Sequence, residues 1–274
     1  MIHALLLFIA VLAVSSAAIF AFLASAPGVV AAFWRLAISI PFIFLIYRPR
    51  KIQLSRMPIF AGFALALHFS FWIESLFHAS IAVSTTIVCT HSLFSGLFAY
   101  LWGEKPRPNQ ILGVVVAMIG VYFLSGADAR SDVYGIVLAL AGAVAGGYYF
   151  ASARFARDVD FPSYIILTYS SAAIFSFLAC LIVSKPIVGY PFNTWIFLIL
   201  LALIPMLIGH TLLNYVLRHM EVLPVTASVI GEAVGAAILA AIFLNQTLQP
   251  DAYLYMFVIL FGIAITFVKS FSSK

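Results

Sequence analysis

Charge is what this sequence most lacks: Asp, Glu, Lys and Arg together make up 8% of its residues. Soluble domains carry about a quarter, so an ordinary water-soluble fold is excluded. Long polar stretches are missing too, which leaves no room for a soluble catalytic or receptor domain. The sequence contains no Gly-rich nucleotide fingerprint and no P-loop, so ATP-driven transport by this chain alone is excluded. It contains no H-E-x-x-H spacing, and Cys89-Thr90-His91 places two metal-capable side chains on different faces of a helix. Only two cysteines occur, Cys89 and Cys180, both inside apolar runs, where they read as reduced packing residues. No metal or cofactor is expected.

What is present is hydrocarbon. Hydrophobic residues make up 65% of the chain, and the mean hydropathy is +1.15. A bilayer span needs about 20 mostly apolar residues. Runs of that kind fall at about 3–24, 27–47, 57–78, 81–102, 108–125, 133–154, 162–184, 194–217, 224–244 and 250–269. Ala24, Ser25 and Ala26 resemble a signal-peptidase site. The run before them is too long for a signal core and lacks a basic start, so a first membrane span is expected instead.

The chain also repeats. With a shift of 142 residues, His68 falls on His210, Pro108 on Pro250, Leu112 on Leu254 and Gly120 on Gly262. Both prolines open an apolar run, as a helix-starting proline should. Five spans per copy is an odd number, so the copies lie upside down relative to each other. The expected fold is an all-α integral membrane protein of ten transmembrane helices, arranged as two inverted five-helix repeats, residues 1–127 and 128–274.

The excess of Lys and Arg reflects topology, and no nucleic-acid partner is read from it. Arg48, Arg50, Lys51, Arg56, Lys105, Arg107, Arg154, Arg157 and Arg218 lie on one set of connections, and Lys269 and Lys274 join them at the C-terminal end. The opposite connections hold only Arg130 and Lys185. The positive-inside rule then puts both termini in the cytoplasm of a cell membrane protein.

The stretch Leu101-Trp102-Gly103-Glu104 closes the fourth run, and Gly113 and Gly120 follow it. It resembles the L-x-G-E signature of the drug/metabolite transporter superfamily, EamA type. The second copy keeps the outline as Phe243-Leu244-Asn245-Gln246. Trp34-Arg35-Leu36 is similar to the family's R-[FL] position, and Gly231-Glu232 to the start of its E-P-[VI] element. The family's prolines in the fourth and ninth spans are replaced by His91 and Ala233. The resemblance implies a carrier of small organic solutes. Its cavity would be lined by spans 1 to 4 and 6 to 9, with spans 5 and 10 as scaffold.

Ionisable groups inside the membrane each need a physical reason, since one at the bilayer centre costs about 2.5–3.5 kcal/mol or more. Glu232, near the middle of span 9 between Gly231 and Gly235, is the leading candidate for binding a proton or an ammonium group; the alternative is a carboxyl that ties two helices together. Arg35 either receives a substrate carboxylate or plays a structural part, pairing with Glu232 or capping a helix end. His68 and His210 are symmetric and His91 lies at mid-depth; each lines a cavity or bonds to a backbone carbonyl. Trp72, one turn from His68, and Tyr148 and Tyr149, after Gly146-Gly147, are candidate stacking surfaces. Asn214, matched to Trp72 by the repeat, is a candidate amide contact. Glu74 and His78 are four apart and suit a local ion pair or an outer gate.

The expected activity is secondary transport of a small polar or zwitterionic metabolite, amino acids foremost, with export favoured. The partners are that solute, the bilayer and, for a coupled cycle, protons; the oligomeric state is open. The alternative is a membrane-embedded enzyme that uses the same His and Glu on a lipid or isoprenoid.

Overall fold

The computed structural model describes residues 2–125, 132–243 and 249–268, so Arg130, Leu244 to Gln246, Lys269 and Lys274 lie outside the described part. Within it the chain is all helical and forms ten segments, without strands. We label them α1 (Ile2–Ala24), α2 (Gly28–Tyr47), α3 (Arg56–Ser75), α4 (Ile81–Val88 and His91–Leu101), α5 (Pro108–Leu124), α6 (Val133–Phe155), α7 (Phe161–Ile182), α8 (Phe192–Leu217), α9 (Val222–Val229 and Glu232–Phe243) and α10 (Pro250–Phe267). Eight are long and apolar enough to cross a membrane. The other two are α4 and α5, the latter having 17 residues and measuring about 26 Å.

Helix starts follow the local sequence. Pro108 and Pro250 open α5 and α10, where a missing N–H costs nothing. Asp132 and Asp160 cap α6 and α7 by accepting from Gly135 N–H at 2.6 Å and Ser163 N–H at 2.9 Å. Two other starts are capped from a distance. Gly28 N–H, opening α2, donates to Glu74 Oε2 of α3 at 2.7 Å. Val222 N–H, opening α9, donates to Glu104 Oε1 at 2.6 Å. A carboxylate at a helix N-terminus also meets the positive end of its dipole. Glu74 is thus tied into the fold, while His78 lies between it and Asp132 at 3.8 and 3.6 Å.

Four of the expected uninterrupted spans are instead irregular. In α1 the break falls at Ser15-Ser16, whose hydroxyls donate back to Val11 O and Ala13 O and compete with the helix ladder. In α4 it falls at Cys89-Thr90, with Thr90 Oγ1 donating to Ile87 O at 2.6 Å. In α9 it falls at Ile230-Gly231, whose N–H groups reach carbonyls only three residues back. In α8 a π-helical stretch, Ala202–His210, surrounds Pro205. So α4 and α9, equivalent in the repeat, are both broken at mid-length without the family's prolines.

Packing interleaves the two copies. α3 packs between α6 and α7, α2 lies against α7, and α1 lies against α8. α5 and α10 mainly pack on each other. Their approach is so close that a Cβ on Gly113 would lie 2.5 Å from the Gly262 carbonyl oxygen. That contact needs glycine on both helices. Their outer faces expose Leu112, Tyr122, Leu254 and Phe257, side chains suited to lipid.

Candidate functional site

A cavity lies where the irregular helices meet. Its wall is Val14 and Ala17 of α1, His68 and Trp72 of α3, Val88 and His91 of α4, Phe150 of α6, His210 of α8, and Val229 and Glu232 of α9. Three helices of each copy contribute, and α5 and α10 contribute none. Each break lies close to this wall, so residues near a break point inward: Val14 beside Ser15-Ser16, His91 after Thr90, Glu232 after Gly231 and His210 at the end of the π stretch. The cavity offers about 20 Å³ to water centres, enough for one or two waters.

His68 donates Nδ1–H to the Gly142 carbonyl at 2.8 Å, which leaves Nε2 for the cavity. Its ring stacks on Trp72 at 6.2 Å with 10° between planes. Room for the ring comes from α6: a Cβ on Gly146 would lie 2.6 Å from His68 Nδ1. Trp72 Nε1 and His91 Nδ1 are buried and have no partner among the described residues. Polar atoms without partners in such a place are available to a ligand or to water.

His210 is held differently. Phe150 stacks on it at 5.9 Å and 6°, and Phe69 meets it edge-on at 5.0 Å and 88°. Tyr149 OH lies 3.4 Å from its Nδ1, and Asn214 Nδ2–H donates to both Tyr149 OH and the His210 carbonyl. Tyr149 and Asn214 therefore support the wall from behind. Tyr148 is elsewhere, packed edge-to-face against Phe98 and Trp102 at 5.4 and 5.3 Å.

Glu232 is the sole acidic group on the wall among the described residues. It opens the second half of α9, so its carboxylate sits at the positive end of a half-helix. Arg35 is fully buried, and among the described residues its Nε, Nη1 and Nη2 have no hydrogen-bond partner. Of the structural alternatives, the pair with Glu232 is not formed; the guanidinium lies over the Phe69 ring at 3.6 Å.

Phe150 is the residue that sequence reading misses. It touches all three cavity histidines, with His91 at 5.0 Å and His68 at 6.4 Å besides His210. The available signal is its spacing: Gly142, Gly146 and Phe150 are each four apart on one face of α6.

A polar network closes one end of the molecule. Glu104 accepts from Arg154 Nε at 2.8 Å while it caps α9, and Glu221 accepts from Arg107 Nη2 at 2.7 Å and from Gln110. Arg218 donates to the carbonyls of Ala156 and Val159. Burial holds its guanidinium below the ordinary arginine value.

Ten helical segments in a two-copy pattern around a buried polar cavity fit a multi-pass membrane transporter of the drug/metabolite type, the class that the family match gives. The EamA-like transporter family matches the sequence twice, over residues 1–126 and again over 133–268. The chain belongs to that family. A solved crystal structure is similar to it with a TM-score of 0.82, at 20% identity over 97% of this chain and 96% of that one, which shows the shared fold alone. No curated protein matches.

Proposed function

We propose that this protein is a secondary carrier that moves a small polar or zwitterionic metabolite, amino acids foremost, across the cytoplasmic membrane by alternating access. Both termini are cytoplasmic in this reading and export is the favoured direction. The observation that carries it is the buried cavity, to which α1, α3 and α4 of one copy and α6, α8 and α9 of the other contribute. A cavity with room for one or two waters must widen to take a metabolite. Helices broken at its wall are natural places for that movement.

The chemistry of the wall supports a substrate with an ammonium group. Glu232 supplies a carboxyl group, Trp72 and Phe150 supply faces for cation–π contact, and the histidines supply polar ring contacts. Glu232 or a histidine also supplies a proton site for a coupled cycle.

The test is counterflow in liposomes of the purified protein, using labelled amino acids, amines and nucleosides. Saturable uptake accelerated by unlabelled solute inside supports the carrier. A pH gradient that drives uptake marks proton coupling; exchange indifferent to it marks facilitated exchange. Conversion of a lipid or isoprenoid without net solute movement overturns the carrier in favour of the enzyme.

A further inference from the structure

We propose that Arg35 is a carboxylate subsite screened from the cavity by the Phe69 ring, so that a zwitterionic solute spans from Glu232 to Arg35. The proposal rests on the carrier reading above and deepens it by naming the second charge of the substrate.

Arg35 is a charged side chain buried in the interior with its hydrogen-bonding capacity unfilled. It has no exposed surface, and all three of its side-chain nitrogens lack an acceptor. A guanidinium carries five N–H donors in a planar fork. Buried with none filled, it is far from its lowest free energy. The ring of Phe69, at 3.6 Å, is its main partner, and a cation–π contact satisfies no N–H.

Among the described residues, no acidic group bonds to it. Tyr149, Tyr169 and Glu232 are the acidic groups within electrostatic reach, and none bonds to it. The Tyr169 hydroxyl is engaged with Thr211 Oγ1 at 3.0 Å, and the Tyr149 hydroxyl with Asn214 and His210. Glu232 is on the cavity wall, whereas Arg35 is not. The arrangement therefore has an unfilled fork on one side and an unpaired carboxylate on the other.

Phe69 is placed to connect the two. One face of its ring covers the guanidinium, and it meets the cavity-wall ring of His210 edge-on at 5.0 Å. In this proposal, rotation of that ring is what opens the guanidinium toward the cavity. A carboxylate matches the fork bidentately, which neither an amine nor an amide does.

The test compares an amino acid with its decarboxylated amine and its carboxamide in counterflow, alongside thermal stabilisation of the wild-type protein by each. Wild type is expected to prefer the acid and to be stabilised by it more than by the amine. Arg35→Gln is expected to raise the KM for the acid about tenfold or more, a charged hydrogen-bond loss, with the amine little changed. Phe69→Leu keeps the arginine and thins the screen, so it should lower the KM for the acid and leave the amine alone. It decides the matter where Arg35→Gln does not fold. Equal transport of acid, amine and carboxamide by wild type overturns the subsite and leaves the carrier standing. So do equal shifts for acid and amine in either variant. Absence of counterflow for every solute overturns the carrier itself.

Discussion

His68 and His210 occupy the same position in two copies of one fold, yet the protein holds them by different means. His68 is in a regular helix, fixed by one hydrogen bond to the Gly142 carbonyl and given space by Gly146. His210 ends a π-helical stretch and is held between the rings of Phe69 and Phe150. The repeat sets how deep each ring lies and which helix carries it. Local backbone geometry decides what the ring touches. A π stretch shifts the register of everything after it, which is how the same position acquires new neighbours.

The asymmetry is sharpest at Thr90 and Glu232, matched by the repeat at the two helix breaks. If the unmatched carboxylate carries function, Glu232→Gln lowers counterflow by about 30-fold or more, the scale of removing one buried charge. Thr90→Val, its partner change, leaves transport within about fivefold, since it removes one back-bond of about 1 kcal/mol. Initial rates on protein shown to be folded by its thermal transition decide this. Equal effects at the two positions would show that the copies share the work.

The histidine comparison is tested by giving both the same ring. His68→Phe adds volume where Gly146 leaves none, so it should destabilise by about 1–3 kcal/mol. His210→Phe keeps a ring between two rings and should cost less than about 1.5 kcal/mol. Thermal unfolding in detergent measures both, and the reverse order would break the account of how each ring is held.

A third comparison makes the first copy resemble the second. Glu104, where the second copy has Gln246, accepts from both Val222 N–H and Arg154. Glu104→Gln puts an N–H₂ opposite one of these donors. A stability loss of about 1–3 kcal/mol is expected, the range for hydrogen bonds to a charge, with the KM unchanged. A changed KM with unchanged stability would move Glu104 from scaffold to transport.

Much of this architecture is legible in the sequence because its causes are local. Apolar runs and the opening prolines each act within one helix, so they mark where helices begin. The cavity residues are legible in a second way. His68, Trp72, His91, His210 and Glu232 are polar or amphipathic groups in hydrocarbon, and the structure brings all five to one wall. Phe150 is hidden because an aromatic ring is ordinary in a chain with 15% aromatics. The placement of Arg35 under Phe69, of Tyr148 against Trp102 and of Asn214 behind His210 depends on helix rotations. Hydropathy does not set those rotations.

The smallest effect should come from restoring a missing proline. Ala233 is the second residue of the second half of α9, and its N–H makes only a 3.2 Å bond to Ile230, three residues back. A proline inside a helix is costly because it removes a bond to the fourth preceding carbonyl and clashes with it. Here the ladder is already interrupted at Ile230-Gly231, so neither penalty applies in full. Ala233→Pro should therefore change stability by less than about 1.5 kcal/mol, far below the 3 kcal/mol of an interior site, and leave counterflow within about twofold. The bend would then be a property of the fold, for which proline is one sufficient cause and Ile230-Gly231 another. A loss of several kcal/mol would show instead that α9 needs the Ala233 N–H, and that its break differs in kind from a proline kink.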